Sequence, residues 1–393
     1  MEFNYYMPAR LIFGPGKLKE LATTPYLPGK KALLVIGKSG AMRKQGYLDR
    51  VTEYLHQNGA ESVVYDKIQP NPLDVHVEEG AEVAKENGCD FVAGLGGGST
   101  IDSAKSIAVM ARNTGRYWDY LQEGSGGRKN PAGGALPIVA IPTTAGTGTE
   151  ADPWTVITNS DLNEKIGWGN DLTFPAVSIV DPELMVSVPP ESTAHTGMDA
   201  FFHAAETYLA NARQPASDHL ALEAISLITK YLPAAVKDGK NMEARTSLAW
   251  ASTEAGICES LSSCISHHSM EHAISAYYPD VAHGAGLIML SVAYFSYLAS
   301  RYHERFPEMA RAMGEKTEGL APNEASMAFI TGLKKLIKNS GAEAEKLSRY
   351  GVKKEDFKKL AENSFHAMGG LYKQTPVNLT VDDVVTIFEN AYE

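Results

Sequence analysis

Short apolar runs rich in β-branched residues recur from residue 31 to about residue 185 and then stop, and this switch constrains the fold more than any other feature. The runs are Ala32–Ile36, Ser62–Tyr65, Phe91–Ala93, Pro137–Ile141 and Val177–Val180. Between them, Tyr47–Asn58 and Val75–Asn87 repeat apolar residues at spacings of three and four, which predicts amphipathic helices. Strands alternating with helices imply a parallel sheet covered on both faces. Beyond Pro189-Pro190, a pair that cannot continue a strand, the text reads as helices of Ala, Leu, Glu, Lys and Met. The expectation is an α/β domain over residues 1–187 and an all-helical domain over 188–393.

Charge narrows the partners. Lys plus Arg number 36 against 47 Asp plus Glu, a net charge of −11, so nucleic acid and anionic membrane surfaces are repelled overall and a small molecule is favoured. The three cysteines are too few and too irregular for a disulfide framework or a Cys-based zinc site. Reduced thiols in a cytoplasmic protein are expected, and the N-terminus lacks the basic and apolar regions of a secretory signal. The longest uncharged run, between Asp280 and Arg301, contains His283, Gly284 and Gly286, which suits a buried core helix better than a lipid-facing one.

Two loops at strand ends invite phosphate. Cys89–Lys105 passes from a strand through Gly96-Gly-Gly98 into a helix, where Ser99 and Asp102 have the spacing of a capping box. Free N–H groups and the positive end of the helix dipole face the turn, and Gly97 and Gly98 let a ligand approach the backbone. A tight turn without a ligand is the bland alternative. After the strand ending at Ile141, Thr143, Thr144, Thr147 and Thr149 crowd hydroxyls and glycines into one loop suited to phosphate and ribose oxygens, or to plain solvent.

The helical half holds histidines at metal spacing. Asp199 and His203 are four apart, as are His268 and His272, so each pair lines one helix face; His283 follows at a glycine-rich helix entry. One carboxylate with imidazoles suits Fe(II) or Zn(II). Either pair alone would read as a polar helix face, but two pairs and a third segment favour a cation. His267, out of phase, reads as structural, and His195, His219, His56, His76, His303 and His366 as surface or capping residues. A nucleotide site facing a metal site suggests metal-assisted hydride transfer, with His272 beside the metal relaying the alcohol proton.

These segments, with Asp181-Pro-Glu-Leu184, Thr196-Gly-Met-Asp-Ala200 and the opening Arg10-Leu-Ile-Phe-Gly14, resemble the iron-containing (group III) alcohol dehydrogenase family, in its butanol dehydrogenase-like branch. The resemblance covers nearly the whole chain. It implies a dehydroquinate synthase-like fold and a metal held by Asp199, His203, His268 and His283. It also implies Gly97, Gly98 and Ser99 on the pyrophosphate, Thr143, Thr144 and Thr147 around the nucleotide, Lys165 and Leu184 near the ribose and nicotinamide, and Asn71 on the adenosine side. Dimers pairing through an N-terminal strand, here Phe3–Phe13, are a further implication.

The chain departs from the family at one point. Many members end the strand equivalent to Ala32–Ile36 with an Asp that repels a 2′-phosphate, whereas this chain has Gly37, Lys38 and Ser39. NADP(H) is therefore expected over NAD(H). A small, largely apolar aldehyde is the expected substrate, reduced in the working direction, with Trp154, Phe174, Phe201, Phe202 and Tyr277 as candidate walls. The alternatives are a dehydroquinate synthase-like lyase and a metallohydrolase. The lyase is disfavoured because Arg213, Lys230, Lys237, Lys240 and Arg245 all stand away from the ligands.

Overall fold

A computed structural model describes residues 2–392. The first half runs β1 (Arg10–Phe13), β2 (Lys31–Gly37), α1 (Ala41–Lys44), α2 (Tyr47–Gln57), β3 (Glu61–Ile68), α3 (Asp74–Glu86), β4 (Phe91–Gly96), α4 (Gly98–Met110), β5 (Ile138–Pro142), β6 (Thr155–Asn159), β7 (Glu164–Trp168) and β8 (Val177–Val180). The second half is α5 (Pro190–Leu209), α6 (Pro215–Lys237), α7 (Met242–Leu261), α8 (Ser266–Tyr277), α9 (His283–Ala299), α10 (Phe306–Ala312), α11 (Pro322–Asn339), α12 (Phe357–Gln374) and α13 (Val381–Ala391), with no strand among the described residues.

Six strands form a sheet in the order β1-β8-β5-β4-β2-β3, every neighbouring pair parallel. Alternate residues of β2 feed two cores, as a period of two requires: Leu33 and Val35 join the cluster under α3 and α4, while Ala32, Leu34 and Ile36 join the one under α2. β6 and β7 lie outside this sheet as an antiparallel hairpin, which the parallel expectation did not include. The N-terminal strand is also shorter than Phe3–Phe13, beginning only at Arg10, and Phe3, Tyr5 and Tyr6 stay exposed. The uncharged run becomes α9, whose Leu287, Leu290 and Phe295 sit in the large helical core.

Topology places the site. From β2 the chain adds β3 on one side and then β4 on the other, so a crevice opens at the carboxyl ends of β2 and β4, where Ile36 pairs with Leu95. Gly37 is the last residue of β2, and Gly97 follows β4 directly. The loop after β5 then wedges onto the helical half: a Cβ on Gly146 would lie 2.9 Å from Cβ of Thr196, and one on Gly256 would lie 2.1 Å from the carbonyl oxygen of Gly148. Glycine at both positions lets the two halves touch backbone to backbone.

Candidate active site

A cleft of about 620 Å³ runs from the β2–β4 crevice to the helical half. At its sheet end it is lined by Gly37, Lys38, Ser39, Gly97, Gly98 and Ser99. The N-cap of α4 is Gly97, with no side chain capping it, so the Ser99–Asp102 capping box does not form. Asp102 instead takes Oγ1 of Thr149 on one oxygen, at 2.7 Å, and the Val156 N–H on the other, at 3.0 Å, which ties the helix to β6 and leaves the first N–H groups of α4 open to a ligand. The glycines have a second duty: a Cβ on Gly98 would come within 2.4 Å of Cγ2 of Thr147, and one on Gly97 within 3.1 Å of Oγ1 of Thr144, so the two loops nest only because both are bare.

At the other end, α5, α8 and α9 bring Asp199, His268 and His283 together. Oδ1 of Asp199 lies 3.6 Å from Nε2 of His268 and 3.5 Å from Nε2 of His283, and Nδ1 of His203 lies 3.7 Å from the same oxygen. Neither Asp199 Oδ1 nor His268 Nε2 has a hydrogen-bond partner, although both are buried. Nitrogen and oxygen ligands about 2.0–2.1 Å from a tetrahedral cation stand about 3.4 Å apart, so this donor set fits a divalent metal. His203, stacked on His268, turns its Nε2 toward Glu259 at 3.6 Å and also groups with Cys264 and His268.

Buried carboxylates fix the imidazoles from behind. Glu206 accepts from Nδ1 of His268 at 2.6 Å and from Nδ1 of His267 at 2.8 Å, and Glu271 pairs with Nδ1 of His283. Such partners hold the ring tautomer that leaves Nε2 free for a metal. Burial disfavours charge throughout, yet the Glu206 and Asp199 carboxylates outweigh it on His268 and lift its pKa to about 10. On Asp199 burial is likewise overcome, by His203, His283 and His268, which hold it at about 2. His272 is different: burial, with Lys165 and His283 nearby, keeps it well below its ordinary range and hence neutral, and its Nδ1 has no partner.

Lys165, on β7, joins the two ends. Its Nζ contacts Oδ1 of Asn71 at 3.0 Å, Oγ of Ser275 at 2.9 Å and Oε2 of Glu271 at 3.2 Å, so the hairpin is the element that links the dinucleotide side to the histidine cluster.

Two family models match the chain: Iron-containing alcohol dehydrogenase over residues 8–182, and Fe-containing alcohol dehydrogenase family, C-terminal, over residues 193–392. The chain belongs to the iron-containing alcohol dehydrogenase family. Among its relatives, the NAD-dependent methanol dehydrogenase of Bacillus methanolicus is 36% identical over 99% of both chains. The crystal structure of an archaeal halo-thermophilic alcohol dehydrogenase from a Red Sea brine pool is 38% identical with a TM-score of 0.95, covering 100% of this chain and 99% of that one. A 1,3-propanediol oxidoreductase structure is 33% identical, with a TM-score of 0.91 over all of both chains.

As an iron-containing alcohol dehydrogenase, the protein is an oxidoreductase of alcohols and aldehydes, and neither the lyase nor the hydrolase alternative finds support. Most residues expected at its site line the cleft, among them Asn71, Thr144, Thr147, Trp154 and His272. Two do not. Thr143 is buried at the end of β5, its N–H on the carbonyl of Gly96, and Leu184 packs into the sheet core with Leu18 and Ile179 because its short helical turn points it inward. Of the candidate walls, Phe201 and Phe202 are fully buried and packed on Phe329 and Phe295, so they belong to the helical core. Reasoning from sequence missed Glu206, Glu271 and Glu259, and also His195, which it read as a surface or capping residue but which lines the cleft. The spacing of Glu206, three residues after His203 and seven after Asp199 and so on the same helix face, is the signal that could have found the first.

Proposed function

We propose that the protein is an aldehyde reductase that passes hydride from NADPH, preferred over NADH, to a small aldehyde, and returns the primary alcohol to aldehyde when the cofactor pool is oxidised. One observation carries this reading: a single cleft joins the open N-terminus of α4 to the unpartnered donors of Asp199 and His268. Asp199, His203, His268 and His283 would hold Fe(II), with Zn(II) as the alternative. When bound, the cation supplies Lewis-acid polarisation of the carbonyl and the dinucleotide supplies the hydride.

The chain's own residues do the rest. Gly97, Gly98 and Ser99 present backbone N–H groups to the pyrophosphate, with Thr144 and Thr147 beside them, while Thr143 and Asp102 act by holding the loops. Lys165 would face the ribose and nicotinamide, and Asn71, whose Oδ1 accepts from Lys165 Nζ at 3.0 Å, the adenosine side. His272 keeps an unpartnered Nδ1 at the cleft wall, where it exchanges the alcohol proton. Preference for the 2′-phosphate rests on Gly37, Lys38 and Ser39, where the only side-chain charge is cationic. Reduction is the favoured direction because cells usually hold NADP pools reduced.

Homodimerisation through the free edge of β1 is supported by the exposed Phe3, Tyr5 and Tyr6, and a cytoplasmic setting by the three free, buried cysteines. No helix among the described residues is long and apolar enough to cross a membrane.

The decisive experiment is anaerobic: Fe(II)-loaded protein, a panel of short aldehydes, NADPH or NADH, and His268→Ala as control, followed at the reduced-nicotinamide absorbance. Oxidation of NADPH that the substitution abolishes supports the reading; no oxidation of either cofactor with metal bound ends it.

A further inference from the structure

Among the three cysteines only Cys264 lines the cleft, from the loop between α7 and α8, where it is buried at 7% exposure. Its thiol donates to Oε1 of Glu259 at 3.0 Å and has no other hydrogen bond among the described residues. Donor atoms of Cys264, His203 and His268 all lie within 4.8 Å of one another, and all three residues are buried. The rings of His203 and His268 stack with centroids 4.4 Å apart, so their nitrogens stand side by side.

This trio shares His268 with the set formed by Asp199, His268 and His283. The shared atom decides how the two sets relate. Nδ1 of His268 is committed to Glu206 at 2.6 Å, whereas its Nε2 is buried without a partner. A ring nitrogen that coordinates has one lone pair to give, so one cation at a time can use Nε2. The two sets differ in the donors they add. Asp199 and His283 contribute a carboxylate and an imidazole, while Cys264 and His203 contribute a sulfur and an imidazole, with Oε2 of Glu259 3.6 Å from Nε2 of His203 as a fourth donor. Thiolate selects zinc, whereas imidazole and carboxylate also suit Fe(II). With zinc–sulfur bonds of about 2.3 Å and zinc–nitrogen bonds of about 2.0–2.1 Å, tetrahedral donors stand about 3.4–3.6 Å apart, so the trio need close by only about 1 Å.

We infer that the cleft contains a second metal seat, overlapping the first, in which His203, Cys264 and His268 take zinc with Glu259 beside them, and that zinc there excludes Fe(II) by occupying His268. As the zinc–sulfur bond forms the thiol proton leaves to solvent, and no electron moves. The expectation that excluded a Cys-based zinc site concerned paired thiolates; this seat needs one. The seat rests on the donors alone, and its inhibitory effect rests on the proposed metal-dependent chemistry of the same cleft.

The test loads the metal-free protein with one equivalent of Zn(II) or, anaerobically, Fe(II), and records X-ray absorption at the edge of each metal in the wild type and in Cys264→Ser. The expected result is a sulfur neighbour about 2.3 Å from zinc in the wild type, and only nitrogen and oxygen neighbours around iron and around zinc in Cys264→Ser. Zinc added to the Fe(II)-loaded wild type should release the iron one for one by elemental analysis. Zinc affinity by isothermal titration should fall by about tenfold or more in Cys264→Ser. The proposal is overturned if zinc in the wild type has no sulfur neighbour, if iron has one, if both metals stay bound together, or if Cys264→Ser binds zinc as tightly as the wild type. Should Cys264→Ser fail to fold, the two metals in the wild type still decide the matter. Sulfur-bound zinc in a protein whose Fe(II) form reduces no aldehyde would remove the reductase reading and leave the seat; aldehyde reduction with zinc lacking sulfur would do the reverse.

Discussion

Oε1 of Glu206 lies 2.6 Å from Nδ1 of His268 and 2.8 Å from Nδ1 of His267, so one buried carboxylate orients a metal donor and a core histidine at once. The Glu206→Gln protein keeps the shape but loses the charge that stabilises both imidazoles. Its affinity for Fe(II) or Zn(II) is expected to fall about 10–100-fold, as for other partners behind metal-bound histidines. Isothermal titration of the metal-free protein measures this directly, and an unchanged dissociation constant would contradict the role.

His268 and His272 separate binding from chemistry. His268→Ala removes a donor, so bound metal and turnover should disappear together. His272→Ala should keep one metal per chain by elemental analysis while kcat falls by about 10²–10⁴, the usual worth of a positioned acid–base group. Loss of metal from His272→Ala would make it a ligand.

At Gly37 a side chain has room: a Cβ would meet Ile68 O at 3.6 Å and Oγ1 of Thr100 at 3.8 Å, both ordinary contacts. Gly37→Asp should therefore fold and place a carboxylate against a 2′-phosphate. Like charges so close cost several kcal/mol, and each 1.4 kcal/mol is tenfold, so the NADPH-to-NADH ratio of kcat/KM should drop by at least about tenfold. If the ratio stays where it is in the wild type, Gly37 does not face that phosphate.

Trp154 is 36% exposed and lines the cleft. Trp154→Ala should raise the relative rate with six-carbon over two-carbon aldehydes. Identical chain-length profiles in the two proteins would take Trp154 out of the substrate wall.

Glu254, buried on α7 with Oε2 unpartnered, has its pKa pushed from 4.5 to about 8 by burial and by Glu223. It is protonated in the folded chain and ionised in the unfolded one across that window. Stability contributed here is therefore lost as pH rises from about 4.5 to 8, by up to about 1.4 kcal/mol per pH unit. Glu254→Gln removes the titrating group, so its melting temperature should exceed that of the wild type more at pH 9 than at pH 5. Parallel melting curves at the two values would refute it.

Helical spacing made much of the site legible. Asp199 with His203, and His268 with His272, needed only the i+4 rule, and Gly96–Ser99 needed only a strand and a helix around it. The parallel sheet and helical second half followed from the same periodicities. Glu206 and Glu271 were hidden because the rings they orient, His268 and His283, lie 62 and 12 residues away; the i+3 spacing of Glu206 from His203 marks its helix face but not that partner. Asp102 misled for the opposite reason: its local spacing copied a capping box, while its carboxylate answered to Thr149 and Val156 across the fold. The β6–β7 hairpin escaped notice because Thr155–Asn159 and Glu164–Trp168 are short and carry charge on a strand that another helix covers.

That covering helix is α12, which returns from the far end of the chain: its backbone breaks from helical geometry at Met368, whose sulfur accepts the Gly167 N–H at 3.2 Å and whose side chain joins Trp168 and Ile157. The chain's C-terminal region thus completes the core of its N-terminal half. Calorimetrically the molecule should behave as one unit, melting in a single transition instead of two, and a fragment that stops at Ser187 should expose Trp168 to solvent and fail to hold a folded sheet on its own.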